Sequence, residues 1–401
     1  MRIRITDLKC AVIGNSPIVR ITTDAGIDGY GEVERYKPYL KPFVLHLREG
    51  LIGEDPTDVE RVMLKIRSRG AFKPYGSAVS VIEMALWDIA GKAAGVPVYK
   101  LLGGKVRDRV RVYNGAHRTP MTGQEPEDYA EDVRRMRALP QGFTIVKQGI
   151  AFHSPMKRRP DFSYGEPPRP TPFHGYVDRG LLTERGMKHL IACVEAMKEV
   201  LGDEVGLALD CGPGFTVPDA IRFARAVEHL NLMWLEDMLT GDYVPYVDAD
   251  VYREVTRATT TPIHTGEQIY LRQNFKGLIE TRAVSIVGPD PCDVGGIAEL
   301  KRVAEYADLH GVLIAPHGTG NGVLGTAALV QVCATLPHNF IAFECPRGDP
   351  DWWPGLVDGL PDPLIQGGMI EVWDAPGMGA TLTPERTKPH LREEDAAFFD
   401  D

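Results

Sequence analysis

The chain of 401 residues is long enough for one large domain with a smaller companion, and its 43% hydrophobic and 25% charged residues are ordinary globular usage, not that of a disordered or fibrous chain. A formal net charge of −10 argues against general binding to nucleic acid or to an acidic membrane surface, since both need basic patches, so the expected ligand is small. No apolar run reaches the roughly 18 residues of a spanning helix, Met1-Arg2-Ile3-Arg4 opens a strand-like stretch without a signal-peptide core, and Cys10, Cys193, Cys211, Cys292, Cys333 and Cys345 form no CxxC pair; neither a zinc site nor a disulfide framework is indicated, and a reducing cytoplasm fits.

In chain order, strand-like runs at 3–12 and 18–23, a turn at Asp24-Ala-Gly26 and Gly29-Tyr-Gly-Glu32 read as a β-meander. Helices follow at 59–67 and 78–94, the second carrying Val81, Met84, Ala85 and Ile89 at helical spacing before Gly95. Residues 1–118 therefore read as a small α+β domain. From Val110 the pattern becomes repeated β-α units. Apolar runs at 143–146, 205–209, 232–235, 284–287, 312–315 and 340–343 alternate with helices that include 184–200, 218–229, 297–310 and 323–335. So many units with buried strands favour a parallel sheet closed into a barrel over 119–346. The remainder, 347–401, is rich in turns and holds one strand, Met369-Ile-Glu-Val372, expected to pack back on the first domain.

Several strands end on an ionisable residue: Leu209-Asp210, Leu235-Glu236, Gly266-Glu267, Pro289-Asp290, Pro316-His317 and Phe343-Glu344, separated by 26, 31, 23, 27 and 27 residues, about one β-α unit each. A parallel barrel gathers such positions at its C-terminal rim. Asp210, Glu236 and Glu267 offer only oxygen ligands, a donor set for a hard cation such as Mg²⁺ with positions left for substrate. Each carboxylate alone could equally cap the following helix or pair with a base; three in register favour the metal. Asp290 beside His317 suits an aspartate that fixes a histidine tautomer for general base work, whereas a lone histidine there would more often be a core residue.

With these motifs the chain resembles the enolase superfamily, in particular its mandelate racemase/muconate lactonizing enzyme-like members and acid-sugar dehydratases. The resemblance runs through Gly29-Tyr-Gly-Glu32, Glu83-Met-Ala-Leu-Trp-Asp88, Pro97-Val-Tyr-Lys-Leu-Leu-Gly103, Trp234-Leu-Glu236, Gly266-Glu267, Pro289-Asp290, Gly295-Gly296 and Pro316-His317. It implies a modified TIM barrel of (β/α)7β type with an N-terminal α+β capping domain. It also implies Asp210, Glu236 and Glu267 as Mg²⁺ ligands, His317 with Asp290 as the base dyad, and Glu344 as an acid that hydrogen-bonds the substrate carboxylate. Two departures stand out. Where many members carry Lys-x-Lys, this chain reads Lys147-Gln148-Gly149, so Lys147 should face the site while the second lysine position is empty. Where some sugar-acid dehydratases have a histidine two residues past the first ligand, it reads Asp210-Cys211-Gly212.

The resemblance implies removal of the proton next to a carboxylate through an enediolate, stabilised by Mg²⁺, with Lys147 as a further cation. With one strong base, a sugar-acid dehydratase or cycloisomerase is expected, His317 taking the proton and returning it to the departing oxygen. A racemase or epimerase of a hydroxy or amino acid would need a second base from Lys147 or elsewhere. A barrel that only binds or assembles is the alternative from another class. Expected partners are a small sugar-acid-like carboxylate and further copies of the same chain.

Between Lys147 and residue 184 lies a segment with Pro155, Pro160, Pro167, Pro168, Pro170 and Pro172, together with His153, Lys157, Arg158, Arg159, Tyr164, Arg169, His174 and Tyr176. It leaves the C-terminal end of a strand and reads as a lid, the alternative being a flexible or oligomer-contacting loop. Gly318-Thr-Gly-Asn-Gly322 fits neither a dinucleotide nor a Walker pattern and reads as a tight turn into a helix. Residues near Asn15-Ser16-Pro17, Lys37 to Lys41 and Tyr75 are expected to set specificity.

Overall fold

The computed structural model describes residues 2–35, 37–67, 76–115, 121, 123–165, 180–239, 247–318, 320–345 and 353–400. The N-terminal unit is an antiparallel sheet, β1 (Ile5–Ile13), β2 (Ser16–Thr23) and β3 (Gly29–Glu32), backed by α1 (Lys41–His46), α2 (Val59–Arg67) and α3 (Gly76–Ala94), with the short α4 (Val98–Leu101) beyond. β3 lies so close on α3 that a Cβ at Gly29 or Gly31 would stand 2.1 Å from the Ala85 carbonyl oxygen or 2.2 Å from that of Val81. The Gly-Tyr-Gly-Glu run is thus a packing requirement.

The barrel alternates strand and helix: β4 (Arg109–Asn114), α5 (Pro126–Arg137), β5 (Ile145–Gly149), α6 (Glu184–Leu201), β6 (Gly206–Asp210), α7 (Val217–Ala226), β7 (Trp234–Glu236), α8 (Ala249–Ala258), β8 (Ile263–Thr265), α9 (Arg272–Glu280), β9 (Ile286–Val287), α10 (Ile297–Leu309), β10 (Leu313–Ile314), α11 (Val323–Cys333) and β11 (Phe343–Cys345). Neighbours run β10-β9-β8-β7-β6-β5-β4-β11, all parallel, and an Ile314–Phe340 bridge joins the two ends. Eight strands and seven intervening helices among the described residues make the expected (β/α)7β barrel. Local chemistry starts the helices: Thr183 and Thr216 accept the amides of Gly186 and Asp219, and Asp248 accepts those of Asp250 and Val251.

Tyr113, Ile145, Ala208, Trp234, Ile286, Ala315 and Ala342 fill the barrel interior. The barrel strands begin one to three residues later than the apolar runs, and β5, β6, β7 and β11 also run one to three residues past them into the polar strand ends, whereas β9 and β10 lie within their runs. The expected strand at 369–372 is β13 (Met369–Glu371), following β12 (Val357–Asp358); it pairs antiparallel with β4 of the barrel, not with the first sheet. The last turn does reach the N-terminal sheet, where Asp395 accepts the Val12 amide at 2.9 Å.

Candidate active site

Strand register decides which polar ends meet. Gly149 pairs with Asp210 and Asp210 with Glu236 on successive strands, so Lys147, two residues before Gly149, shares their face. Its Nζ lies 2.5 Å from Glu236 Oε1, 3.1 Å from Glu344 Oε1 and 4.0 Å from Asp210 Oδ2. At 2% exposure burial would discharge this ammonium, but Glu236 and Glu344 outweigh that and hold its pKa well above the ordinary lysine value. Trp234 Nε1 donates to Glu236 Oε2 at 2.8 Å and fixes the other carboxylate oxygen.

The second half of the site is the dyad. His317 Nδ1 lies 2.8 Å from Asp290 Oδ2, and Asp290 also accepts the Cys292 amide at 2.7 Å and Asn321 Nδ2 at 3.2 Å. That network assigns the Nδ1 proton to the aspartate side and leaves Nε2 facing inward, 3.5 Å from both Glu267 Oε2 and Glu344 Oε2. Burial lowers the His317 pKa, yet Glu267, Asp290 and Glu344 together carry it well above the usual imidazole range. Glu344, the register partner of Tyr113 on β4, joins the halves, one oxygen toward Lys147 and the other toward His317. Every residue singled out from the sequence (Lys147, Asp210, Glu236, Glu267, Asp290, His317 and Glu344) therefore stands at this one mouth.

Three further residues take part. Asp237 is 5% exposed, has a left-handed φ of +49°, and accepts the Thr265 hydroxyl. Burial, then Glu267 and Glu236, push its carboxyl well above the usual range. The adjacent acids of Trp-Leu-Glu-Asp were a signal for it. Asn321 belongs to the glycine turn, which leads into α11 as expected. His153, grouped in the sequence with the long insertion, has Nδ1 only 3.4 Å from Asp210 Oδ1.

The start of the insertion is packed, with Phe152, Met156 and Phe162 at most 2% exposed and Ser163 bridged to Leu182. Pro167, Pro168, Arg169, Pro170, Pro172, His174 and Tyr176 lie outside the described residues, as does Tyr75.

A cation fits the donor set: Asp210, Glu236, Asp237, Glu267, Asp290 and Glu344 outnumber the cationic side chains about them, and the three proposed ligands offer oxygen alone. Among the described residues the side chains do not already converge in a group of three or more that could hold a metal ion, and Lys147 Nζ stands between Asp210 and Glu236. No helix among the described residues is long and apolar enough to cross a membrane.

Comparison with known proteins agrees with this architecture. The family model "Mandelate racemase / muconate lactonizing enzyme, N-terminal domain" matches residues 13–103, and "Enolase C-terminal domain-like" matches 128–386. D-xylonate dehydratase of Haloferax volcanii is 34% identical over 413 residues, covering 98% of this chain and 90% of that protein. D-galactonate dehydratase of Variovorax paradoxus is 30% identical over 378 residues, covering 92% and 89%. A crystal structure of a mandelate racemase/muconate lactonizing enzyme-like protein from Rubrobacter xylanophilus superposes with a TM-score of 0.82 at 34% identity, covering 98% of this chain and 99% of that one. With both halves of the fold matched and the strand-end carboxylates and histidine gathered at one mouth, the chain belongs to the enolase superfamily, within its mandelate racemase/muconate lactonizing enzyme group, and is an enzyme.

Proposed function

We propose that the chain is a Mg²⁺-dependent sugar-acid dehydratase that converts an aldonic acid into its 2-keto-3-deoxy product. The observation that carries the reading is the His317–Asp290 dyad, held at 2.8 Å with Nε2 turned toward the carboxylate-lined mouth. The names of the relatives, D-xylonate and D-galactonate dehydratase, support the substrate class.

In this reading Asp210, Glu236 and Glu267 would hold Mg²⁺, and a bound Mg²⁺ would supply positive charge against the substrate carboxylate. His317 Nε2 takes the α-proton in the neutral form of the ring, which a cation on Glu267 would favour by cancelling the negative charge that otherwise raises its pKa. Asp290 keeps the ring oriented and stabilises the imidazolium formed, and Asn321 with the Cys292 amide keeps Asp290 in place. Lys147, charged through Glu236 and Glu344, adds a fixed positive field toward the same developing anion. Glu344 is placed to hydrogen-bond the substrate. Gly149 puts no side chain where a second base would stand, which favours elimination over racemisation.

A screen of aldonic acids, aldaric acids and sugar lactones with Mg²⁺, reading 2-keto-3-deoxy acid formation, tests the reading. Turnover of one or more aldonates is expected; racemised or cyclised products without dehydration would overturn it.

A further inference from the structure

A dehydration must protonate the departing oxygen, and His317 is committed to the α-proton. We propose that His153, resting on the dehydratase reading above, is the catalytic residue that touches the leaving hydroxyl of the substrate and gives it the proton.

Geometry carries this. His153 lies four residues beyond β5, in a turn that folds over the end of β6. Its amide donates to the carbonyls of Ile150 at 2.9 Å and Cys211 at 3.1 Å, while the Ile150 amide donates to that of Asp210 at 2.7 Å. Next to it Phe152 is buried, with its ring 5.5 Å from Phe162 and 5.4 Å from Phe215 in edge-to-face contact. Ala151 holds a left-handed φ of +50°, unfavourable for a residue with a Cβ, so the surroundings fix the turn against its local preference.

Gly212 explains why the turn fits. A Cβ there would meet the His153 nitrogen at 2.7 Å and the Phe152 carbonyl carbon at 2.9 Å. The position that the sequence leaves without a side chain is filled by the backbone that delivers a histidine from the neighbouring strand. Nδ1 of that ring faces Asp210 at 3.4 Å, which puts Nε2 on the far side of the ring, and the side chain is 24% exposed where Lys147 and Glu236 are 2% and 1%. It therefore stands at the edge of the carboxylate cluster, beside Asp210 and partly exposed to solvent.

The step balances. His317 takes the C2 proton, and the C2–H electron pair moves into a C1=C2 bond, giving an enediolate that can return to substrate with an exchanged proton. As the enediolate collapses, that pair forms the C2=C3 double bond and the C3–O bond breaks; the oxygen keeps the C3–O pair, accepts a proton from His153 and leaves as water. The enol then loses its C2 hydroxyl proton as C3 gains one, giving the 2-keto acid, and solvent resets both histidines.

The test compares wild-type and His153→Asn enzyme, both with Mg²⁺, on D-xylonate, D-galactonate and 3-deoxy-3-fluoro-D-xylonate in D₂O. Fluoride leaves without needing a proton. The variant should lose dehydration by about 10²–10⁴-fold while α-proton exchange and fluoride release stay within about threefold of wild type. His153→Gln, checked by circular dichroism, replaces His153→Asn if the latter does not fold. Dehydration near the wild-type rate, or parallel loss of exchange, fluoride release and dehydration, would overturn the proposal. A wild-type enzyme that exchanges no α-proton on any aldonate would instead remove the dehydratase reading, and this proposal with it.

Discussion

Glu83 on α3 caps a helix of the barrel. Its Oε2 accepts the Ile297 amide at 2.7 Å, and its Oε1 accepts the Ala298 amide at 2.9 Å and Trp87 Nε1 at 2.7 Å. Ile297 and Ala298 open α10, whose N-cap Gly296 has no side chain to do this work. Glu83→Ala leaves two buried amides, and the part-buried Trp87 indole, without an acceptor, and at roughly 1–3 kcal/mol for each buried donor the variant should lose about 2–6 kcal/mol of stability. Burial raises the Glu83 carboxyl from 4.5 to about 7 despite these donors. A raised carboxyl means the folded state binds the extra proton. The protonated group's contribution is complete below pH 4.5 and declines as pH rises through 7, by about 3 kcal/mol for a shift of this size. Glu83→Gln, which cannot ionise, should remove that share of the slope, so its deficit against wild type should shrink from pH 5 to pH 8. Urea midpoints followed by tryptophan fluorescence at pH 5, 6, 7 and 8 read this directly. Parallel pH curves for wild type and Glu83→Gln would show that Glu83 does not take up a proton in the folded state.

His317→Asn should abolish α-proton exchange, a loss on the order of 10³-fold or more; exchange at the wild-type rate would place the base elsewhere. Lys147→Met leaves Glu236 and Glu344 buried without their shared cation and should cost about 3–5 kcal/mol, measured by urea unfolding without metal; an unchanged midpoint would contradict the pairing at 2.5 and 3.1 Å. Glu236→Gln should weaken Mg²⁺ binding in calorimetry by at least about tenfold, since it removes one of three anionic ligands, and equal affinity would remove Glu236 from the ligand set.

The barrel was legible because one carboxylate or histidine recurs at each β-α period, and that period is a property of the chain alone. Helices α2 and α3 were legible from apolar spacing. Helices α5, α8 and α9 were not, because polar residues dominate them and only a narrow apolar stripe, such as Tyr252 and Val255 in α8, is buried. β8, Ile-His-Thr, has too few apolar residues to stand out, and its His264 is buried through stacking on Trp234, a contact made across strands. His153 was visible as a histidine but not as a neighbour of Asp210, since that proximity needs the left-handed Ala151 and the empty Cβ position of Gly212. The packed start of the insertion was hidden for a related reason: prolines and basic residues dominate its composition, while Phe152, Met156 and Phe162 anchor it.

Proton NMR of D-xylonate and D-galactonate in D₂O with the wild-type enzyme, run once with Mg²⁺ and once with excess EDTA, reads metal dependence and proton abstraction together. With Mg²⁺ the C2 proton signal should disappear and a 2-keto-3-deoxy acid should accumulate; with EDTA neither should occur. Dehydration that continues in EDTA, or C2 exchange and dehydration that survive in His317→Asn, would show that Mg²⁺, or His317, respectively, does not drive the reaction.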